Sequence, residues 1–242
     1  TYLTIVANPP YLGGGDFNKS LKKYIDKTYP DSKSDLCTCF IERGLDLITQ
    51  SAFLGMITQQ SWMFLGSYNK LREKIVQETY INSLLHLGSR TFPEIGGEVV
   101  QNSAFVLLND RVHRKGVYFR LIDFKHTDKK ANKTLEAIKN PNCGWYYTTN
   151  QANFKSIPGC NIGYWVSEKV ISIFEESEVL INTMDVRQGL ATGNNDKFMR
   201  FWSEVNFYKM GLQISSIEDS ILSRKKWFPY NKGGAARKWY GN

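Results

Sequence analysis

A short β-branched run stopped by a proline pair constrains this chain more than any other feature. Residues 1–11 read Thr-Tyr-Leu-Thr-Ile-Val-Ala-Asn-Pro-Pro-Tyr. Thr4, Ile5, Val6 and Ala7 suit an extended, packed backbone, so a short buried strand is expected there. Pro9 and Pro10 each fix φ and lack an N–H, so pairing as a central strand must end at them. Asn8, standing before a proline, is held extended as well. The result is a stiff platform carrying an amide, a row of carbonyls and the Tyr11 ring. In an open α/β sheet, ligands sit at this carboxyl end of the strands.

The chemistry of such a platform follows from its acceptors. The Asn8 side-chain carbonyl and the Pro9 backbone carbonyl, held together, can accept both hydrogens of an exocyclic amino group. That draws the nitrogen lone pair out of ring conjugation and aims it at an electrophile. Tyr11 offers a flat face on which a planar base can stack. The glycines at 13–15 make a flexible turn without the spacing of a phosphate loop.

Beyond the turn, residues 16–33 are rich in lysine (Lys19, Lys22, Lys23, Lys27 and Lys33) and read as a solvated helical face. Ser34-Asp35 caps a helix in which Leu36, Cys39, Phe40, Leu47 and Ile48 recur at helical spacing. Residues 53–58 form a buried strand, 68–78 a helix and 81–87 the next strand. Residues 103–108 and 117–122 read as an antiparallel hairpin joined by a turn at 109–116. This alternation argues for a parallel α/β sheet with an antiparallel edge. Residues 125–142 read as an excursion with a short helix near 135–139. The chain is therefore divided at 142, with 143–242 as a linker and a second region rich in aromatics.

Charge narrows the partner. With 31 Lys and Arg against 23 Asp and Glu, the net charge is +8, and a polyanion is favoured. The last stretch, with Arg224, Lys225, Lys226, Lys232, Arg237 and Lys238 interleaved with Trp and Tyr, has no acidic residue. Phosphate contact plus base stacking requires that composition. The four cysteines, Cys37, Cys39, Cys143 and Cys160, match no zinc framework, so no metal is expected. They read as reduced thiols of a cytoplasmic protein. No apolar run approaches the ~20 residues that span a bilayer, so no membrane partner is expected. His86, His113 and His126 read as structural. A chain opening directly on a core strand is expected to be a piece of a longer protein.

Asn8-Pro9-Pro10-Tyr11 resembles the catalytic motif of amino-methyltransferases that use S-adenosylmethionine. With the order of the later elements, the chain is similar to the γ-type adenine-specific (N6) DNA methyltransferases. The strings at 96–105 and 187–196 resemble the large methyltransferases of BREX phage-defence (PglX-like) systems and of fused restriction-modification enzymes. The resemblance implies the later half of a Rossmann-like methyltransferase sheet over 1–142, then the start of a target recognition region. It implies methyl transfer to a flipped adenine in double-stranded DNA, with restriction or phage-defence subunits as further partners. Asn8, Pro9, Pro10 and Tyr11 take the catalytic place, and Phe92 in the loop at 87–93 joins Tyr11 in stacking on the base. Asn8, Asp35, Leu36 and Phe40 face the cofactor, whose Gly-rich loop lies upstream of residue 1. The same four letters also occur in protein-glutamine and RNA amino-methyltransferases. A DNA-binding fragment without activity is the alternative from another class.

Overall fold

The computed structural model describes residues 1–92, 100–124, 126–185 and 191–230. They form two compact units, Thr1–Ser177 and Glu178–Asn242.

The first unit is a mixed α/β, Rossmann-like layer structure. In chain order it contains β1 (Tyr2–Ala7), α1 (Lys19–Thr28), α2 (Leu36–Leu47), β2 (Ile48–Gln59) and α3 (Asn69–Glu78). Then follow β3 (Tyr80–Gly88), β4 (Asn102–Leu108), β5 (Lys115–Arg120), α4 (Thr127–Lys139), β6 (Tyr146–Asn150) and α5 (Glu168–Glu176). The six strands lie in the order β1-β2-β4-β3-β5-β6. The pairs β1–β2 and β3–β5 are parallel, whereas β4 runs antiparallel to both β2 and β3, and β6 antiparallel to β5. Strands β1, β2, β3 and β5 therefore share one direction, and their carboxyl ends line one edge of the sheet.

Side chains alternate between two cores, as a period of two requires. Leu54, Met56, Leu84, Phe105, Leu107 and Tyr118 face α2, α3 and the segment around Phe154 and Tyr164. Leu85, Ala104, Val117 and Phe119 face α4 through Ala137 and Trp145. Gly44 sets how closely α2 approaches the sheet. A Cβ there would stand 2.7 Å from a Leu54 methyl.

Several expectations change. The strand at residues 2–7 exists, but β1 is an edge strand rather than a buried one. Ile5 and Ala7 pack on the core, while Leu3 is 79% and Val6 81% exposed. The segments at 103–108 and 117–122 do not form a hairpin. β4 inserts between β2 and β3, and β5 pairs with the far side of β3. The antiparallel edge is made by β5 and β6 instead. Ile48 begins β2 rather than continuing α2. Residues 127–139 are one packed helix, with Ala137 and Lys130 buried and the Trp145 indole N–H donating to the Lys133 carbonyl at 3.0 Å. Because β6 completes the sheet, residues 143–177 lie in the first unit, so the compact unit extends past the division at 142.

In the second unit, α6 (Leu180–Thr183), α7 (Asn195–Phe198) and α8 (Ile217–Leu222) are short. The chain at 209–211 is tied to 226–227 by backbone hydrogen bonds, among them Gly211 N–H to Trp227 O at 2.8 Å.

Candidate active site

Asn8-Pro9-Pro10-Tyr11 lies at the carboxyl edge of the sheet, directly beyond β1. Pro9 is buried and Asn8 exposed. The loop folds back so that the Tyr11 hydroxyl stands over β2 and β4. It accepts from Asn102 Nδ2 at 3.0 Å, and its one proton reaches Asn8 Oδ1 at 3.3 Å or the Ile57 carbonyl at 3.4 Å. Asn102, the first residue of β4, is 1% exposed, and its amide also points at the Thr58 carbonyl, 3.4 Å away. A buried amide thus fixes the phenol, and the phenol fixes the Asn8 carbonyl. Burial, followed by the nearby Cys37, pushes the Tyr11 hydroxyl up to about 12, so it stays a neutral donor.

The turn after Tyr11 is pinned to the start of α2. Leu36 N–H donates to Leu12 O at 2.9 Å and Gly14 N–H to Ser34 O at 2.9 Å. Asp35 is the N-cap of α2, as its residue type and position predict. Its Oδ1 accepts from Cys37 N–H at 2.9 Å, and its Oδ2 from Gln59 Nε2 at 3.5 Å. The Asp35 carboxylate is buried and engaged within the chain on both oxygens. Leu36 packs against Ile25, Tyr29 and Cys39. Phe40, one helical turn on, is 41% exposed. An exposed amide at Asn8 and an open apolar ring at Phe40 are side-chain types that fit an adenosyl ligand, the one for polar contacts and the other for its flat base. Burial raises the Cys37 and Cys39 thiols, Cys39 to about 11, so neither serves as a thiolate.

Phe92 is half-buried, at the end of a loop held at several points. Gly88 turns the chain out of β3 at φ +67°, where a Cβ would press on Ile122. Thr91 Oγ1 donates to Gly88 O at 3.0 Å, and Thr127 Oγ1 reaches the Arg90 and Thr91 carbonyls at 3.1 and 3.2 Å. Buried Lys130 donates from Nζ to the Ser89 carbonyl. The start of α4 therefore anchors the loop that carries Phe92.

A second polar chain runs along the same edge. His86 Nε2 meets Gln60 Oε1 at 2.8 Å and His86 Nδ1 meets the Tyr164 hydroxyl at 3.0 Å. The Gln60 amide donates to Gln101 Oε1 at 2.5 Å. Since Gln60 Oε1 can only accept, His86 carries its proton on Nε2 and accepts from Tyr164. Burial, then the Arg120 charge, holds the imidazole down to about 4, so it is neutral. Phe64 and Trp165 pack their rings 5.7 and 6.1 Å from it.

The residues expected from the sequence, Asn8, Pro9, Pro10, Tyr11, Asp35, Leu36, Phe40 and Phe92, do not include Asn102, Lys130 and Gln60, whose side chains tie this edge together. Each of these acts through a partner dozens of residues away; Asn102 opens β4 and Gln60 follows β2, a weak local signal, and Lys130, inside α4, has none. Of the basic residues expected to meet DNA, Arg224, Lys225 and Lys226 are exposed in the second unit. Lys225 Nζ donates to Tyr208 O at 2.7 Å and Lys226 lies 5.3 Å from the Trp227 ring centre. Lys232, Arg237 and Lys238 lie outside the described residues, as do parts of the strings at 96–105 and 187–196. Among the described residues, no helix is long and apolar enough to cross a membrane, and no group of three or more His, Cys, Asp or Glu is gathered to hold a metal.

The model of the Eco57I restriction-modification methylase family matches residues 2–92, from β1 through Phe92. Over the whole chain, the sequence is 47% identical to a protein of Lacticaseibacillus casei (strain Zhang) named adenine-specific methyltransferase PglX. It is 39% identical, again over the whole chain, to adenine-specific methyltransferase BrxX of Escherichia coli O9:H4 (strain HS). The chain spans 20% and 19% of the lengths of these two relatives. A solved type I restriction-modification methyltransferase subunit from Streptococcus thermophilus superposes with a TM-score of 0.50 at 14% identity. That match covers 67% of this chain and 37% of the other, and shows a shared fold.

Proposed function

We propose, from the match of residues 2–92 to the Eco57I restriction-modification methylase family, that the chain supplies the amino-group site of an adenine-specific DNA methyltransferase. The observation that carries this reading is the Asn102–Tyr11–Asn8 chain, which fixes the Asn8 side-chain carbonyl at the sheet's carboxyl edge, one residue before Pro9.

The target adenine must leave the duplex, because its amino nitrogen cannot meet an enzyme pocket while stacked and paired. Tyr11 and Phe92 receive the extruded base between aromatic surfaces and recover part of an unstacking cost of a few kcal/mol. Asn8 Oδ1 and Pro9 O each accept one amino hydrogen. With both hydrogens held, the lone pair stands out of the ring plane and is oriented before reaction. Pro10 stiffens the platform, so the two acceptors keep their separation. S-adenosylmethionine, when bound, supplies an electrophilic methyl group, and Asn8, Leu36 and Phe40 are the residues of this chain proposed to meet it. Asp35 supports that wall from behind by capping α2. No buried base is required, since the methylated nitrogen sheds its proton readily to solvent.

Arg224, Lys225 and Lys226, with Lys232, Arg237 and Lys238, are proposed to contact DNA phosphates, and restriction or phage-defence subunits are proposed as further partners. Titration calorimetry of the full-length protein with S-adenosylmethionine tests the reading. Stoichiometric binding is expected, and no binding would refute the enzymatic assignment.

A further inference from the structure

Helix α1 has two faces of opposite character. Leu21 and Ile25 turn inward, and with Phe17 and Tyr29 they pack against Leu36 and Cys39 of α2. The outward face carries Lys19, Lys22, Lys23 and Lys27, all exposed, with Tyr24 beside them. One shallow surface depression is lined by these four lysines and Asp26.

A solvated helix ordinarily relieves such charge with acidic partners one turn away. Here Lys19, Lys23 and Lys27 follow each other at intervals of four, so each faces a like charge. Lys19 also opens the helix, where the backbone dipole disfavours a cation. The neighbouring acid does not help, because Asp26 pairs with Lys33 at 3.7 Å. Among the described residues, Lys19, Lys22, Lys23 and Lys27 have no ion-pair partner. Elsewhere in the unit Lys70 pairs with Asp31, Lys74 with Glu42 and Asp46, and Lys133 with Glu136. The helix keeps an uncompensated row of cations against its own stability.

We infer that this lysine row is a contact surface for the phosphate backbone of duplex DNA, flanking the amino-group site. The row from Lys19 to Lys27 is about 12 Å long at 1.5 Å per residue. That matches three to four phosphates of one strand, at about 3.4 Å per step along the duplex axis. The row is held to the site through short links: α1 packs on α2, and α2 begins where Leu36 and Ser34 pin the loop that follows Tyr11. A bilayer is a poor match, because the apolar residues of α1 are turned inward and none but Tyr24 is free to insert. A regular single-sign row suits the regular charges of a duplex better than the irregular surface of an acidic protein.

The inference rests on the proposed DNA activity, and the test separates the two. Duplex binding by the full-length protein is measured over a salt series, for the wild type and for Lys19→Gln/Lys23→Gln/Lys27→Gln. Loss of three phosphate contacts lowers the slope of log affinity against log salt by about 2.7. Between about 50 and 200 mM salt, the wild type then loses about 40-fold more affinity than the variant. The corresponding Lys→Arg variant keeps the wild-type slope. As a measurement needing no variant, acylation of the three amines, read by mass spectrometry, falls when duplex is added. An unchanged slope and unprotected amines in an enzyme that methylates DNA would overturn the surface and leave the activity standing; protection by an acidic protein but not by DNA would overturn it equally. A lowered slope in a protein that methylates nothing would overturn the activity and leave the surface.

Discussion

Replacing Asn102 by alanine in the full-length protein isolates the link on which the site's geometry depends. The Asn102 amide makes two contacts, to the Tyr11 hydroxyl and to the Thr58 carbonyl. Thr58 lies within the β2–β4 ladder opposite Ser103, so its carbonyl belongs to a paired stretch. The Tyr11 hydroxyl loses its donor, yet it keeps two acceptors within 3.4 Å. The loss is therefore that of one buried hydrogen bond, about 1–2 kcal/mol. For a protein unit of this size, that lowers Tm by roughly 2–8 °C. The effect on methyl transfer exceeds what this loss of stability alone would give at assay temperature. With Asn102 gone, Tyr11 is held only by its own donation at 3.3–3.4 Å, so Asn8 Oδ1 loses its fixed orientation and kcat/KM falls about tenfold to a hundredfold. Binding of duplex DNA is unchanged. Tyr11→Phe removes the other end of the same bond, so the double variant is no slower than the slower single one. Steady-state methyl transfer by the four proteins is the assay. Independent, multiplying losses from the two substitutions would refute the claim that Asn102 acts through Tyr11.

Three further outcomes follow from the same geometry. Lys130→Met removes the anchor of the Ser89 carbonyl, and the loop carrying Phe92 loosens. The rate of base capture, followed with 2-aminopurine fluorescence at the target position, falls several-fold while duplex affinity holds. Arg72, fully buried, donates to the carbonyls of Trp62, Leu65 and Gly159, so Arg72→Met leaves all three short of a donor. A stability loss of about 3 kcal/mol is expected by thermal denaturation. The imidazole of His86 is held down to about 4 when folded, against ~6.5 when unfolded. The unfolded chain therefore binds more protons between those values, so stability is intact above pH ~6.5 and declines toward pH ~4, by at most ~3 kcal/mol. Tm measured against pH should show this fall in the wild type and a flatter profile in His86→Gln.

The strand-end motif and the elements around it were readable because their signals are local. Two prolines stop β1, Asp35 caps α2, and apolar periodicity marks α2, β2, α3 and β3. Strand pairing is a different kind of information. Residues 103–108 and 117–122 are adjacent in sequence and turn-linked, which suggests a hairpin, but side chains on both faces of β4 need cover. Val106 and Phe105 find it between β2 and β3, not at an edge beside β5. β1 reads as buried from its run Thr4-Ile5-Val6-Ala7, yet its outward face, with Val6 81% exposed, is open in this chain. Asn102 carries only the weak signal of a polar residue at a strand start, and Lys130 carries none. An asparagine opening a strand and a lysine in a helix look like surface residues until the fold brings Tyr11 and Ser89 to them.

The central claim is that Asn8 and Pro9 hold the amino group of an adenine in DNA for methyl transfer. Its most direct test is nucleoside mass spectrometry of duplex DNA incubated with the full-length protein and methyl-labelled S-adenosylmethionine. The account predicts label on the N6 nitrogen of adenine with the wild type. It predicts no label with Asn8→Ala, whose duplex binding matches the wild type. Label on cytosine, label on protein or RNA in place of DNA, or undiminished adenine methylation by Asn8→Ala would contradict it.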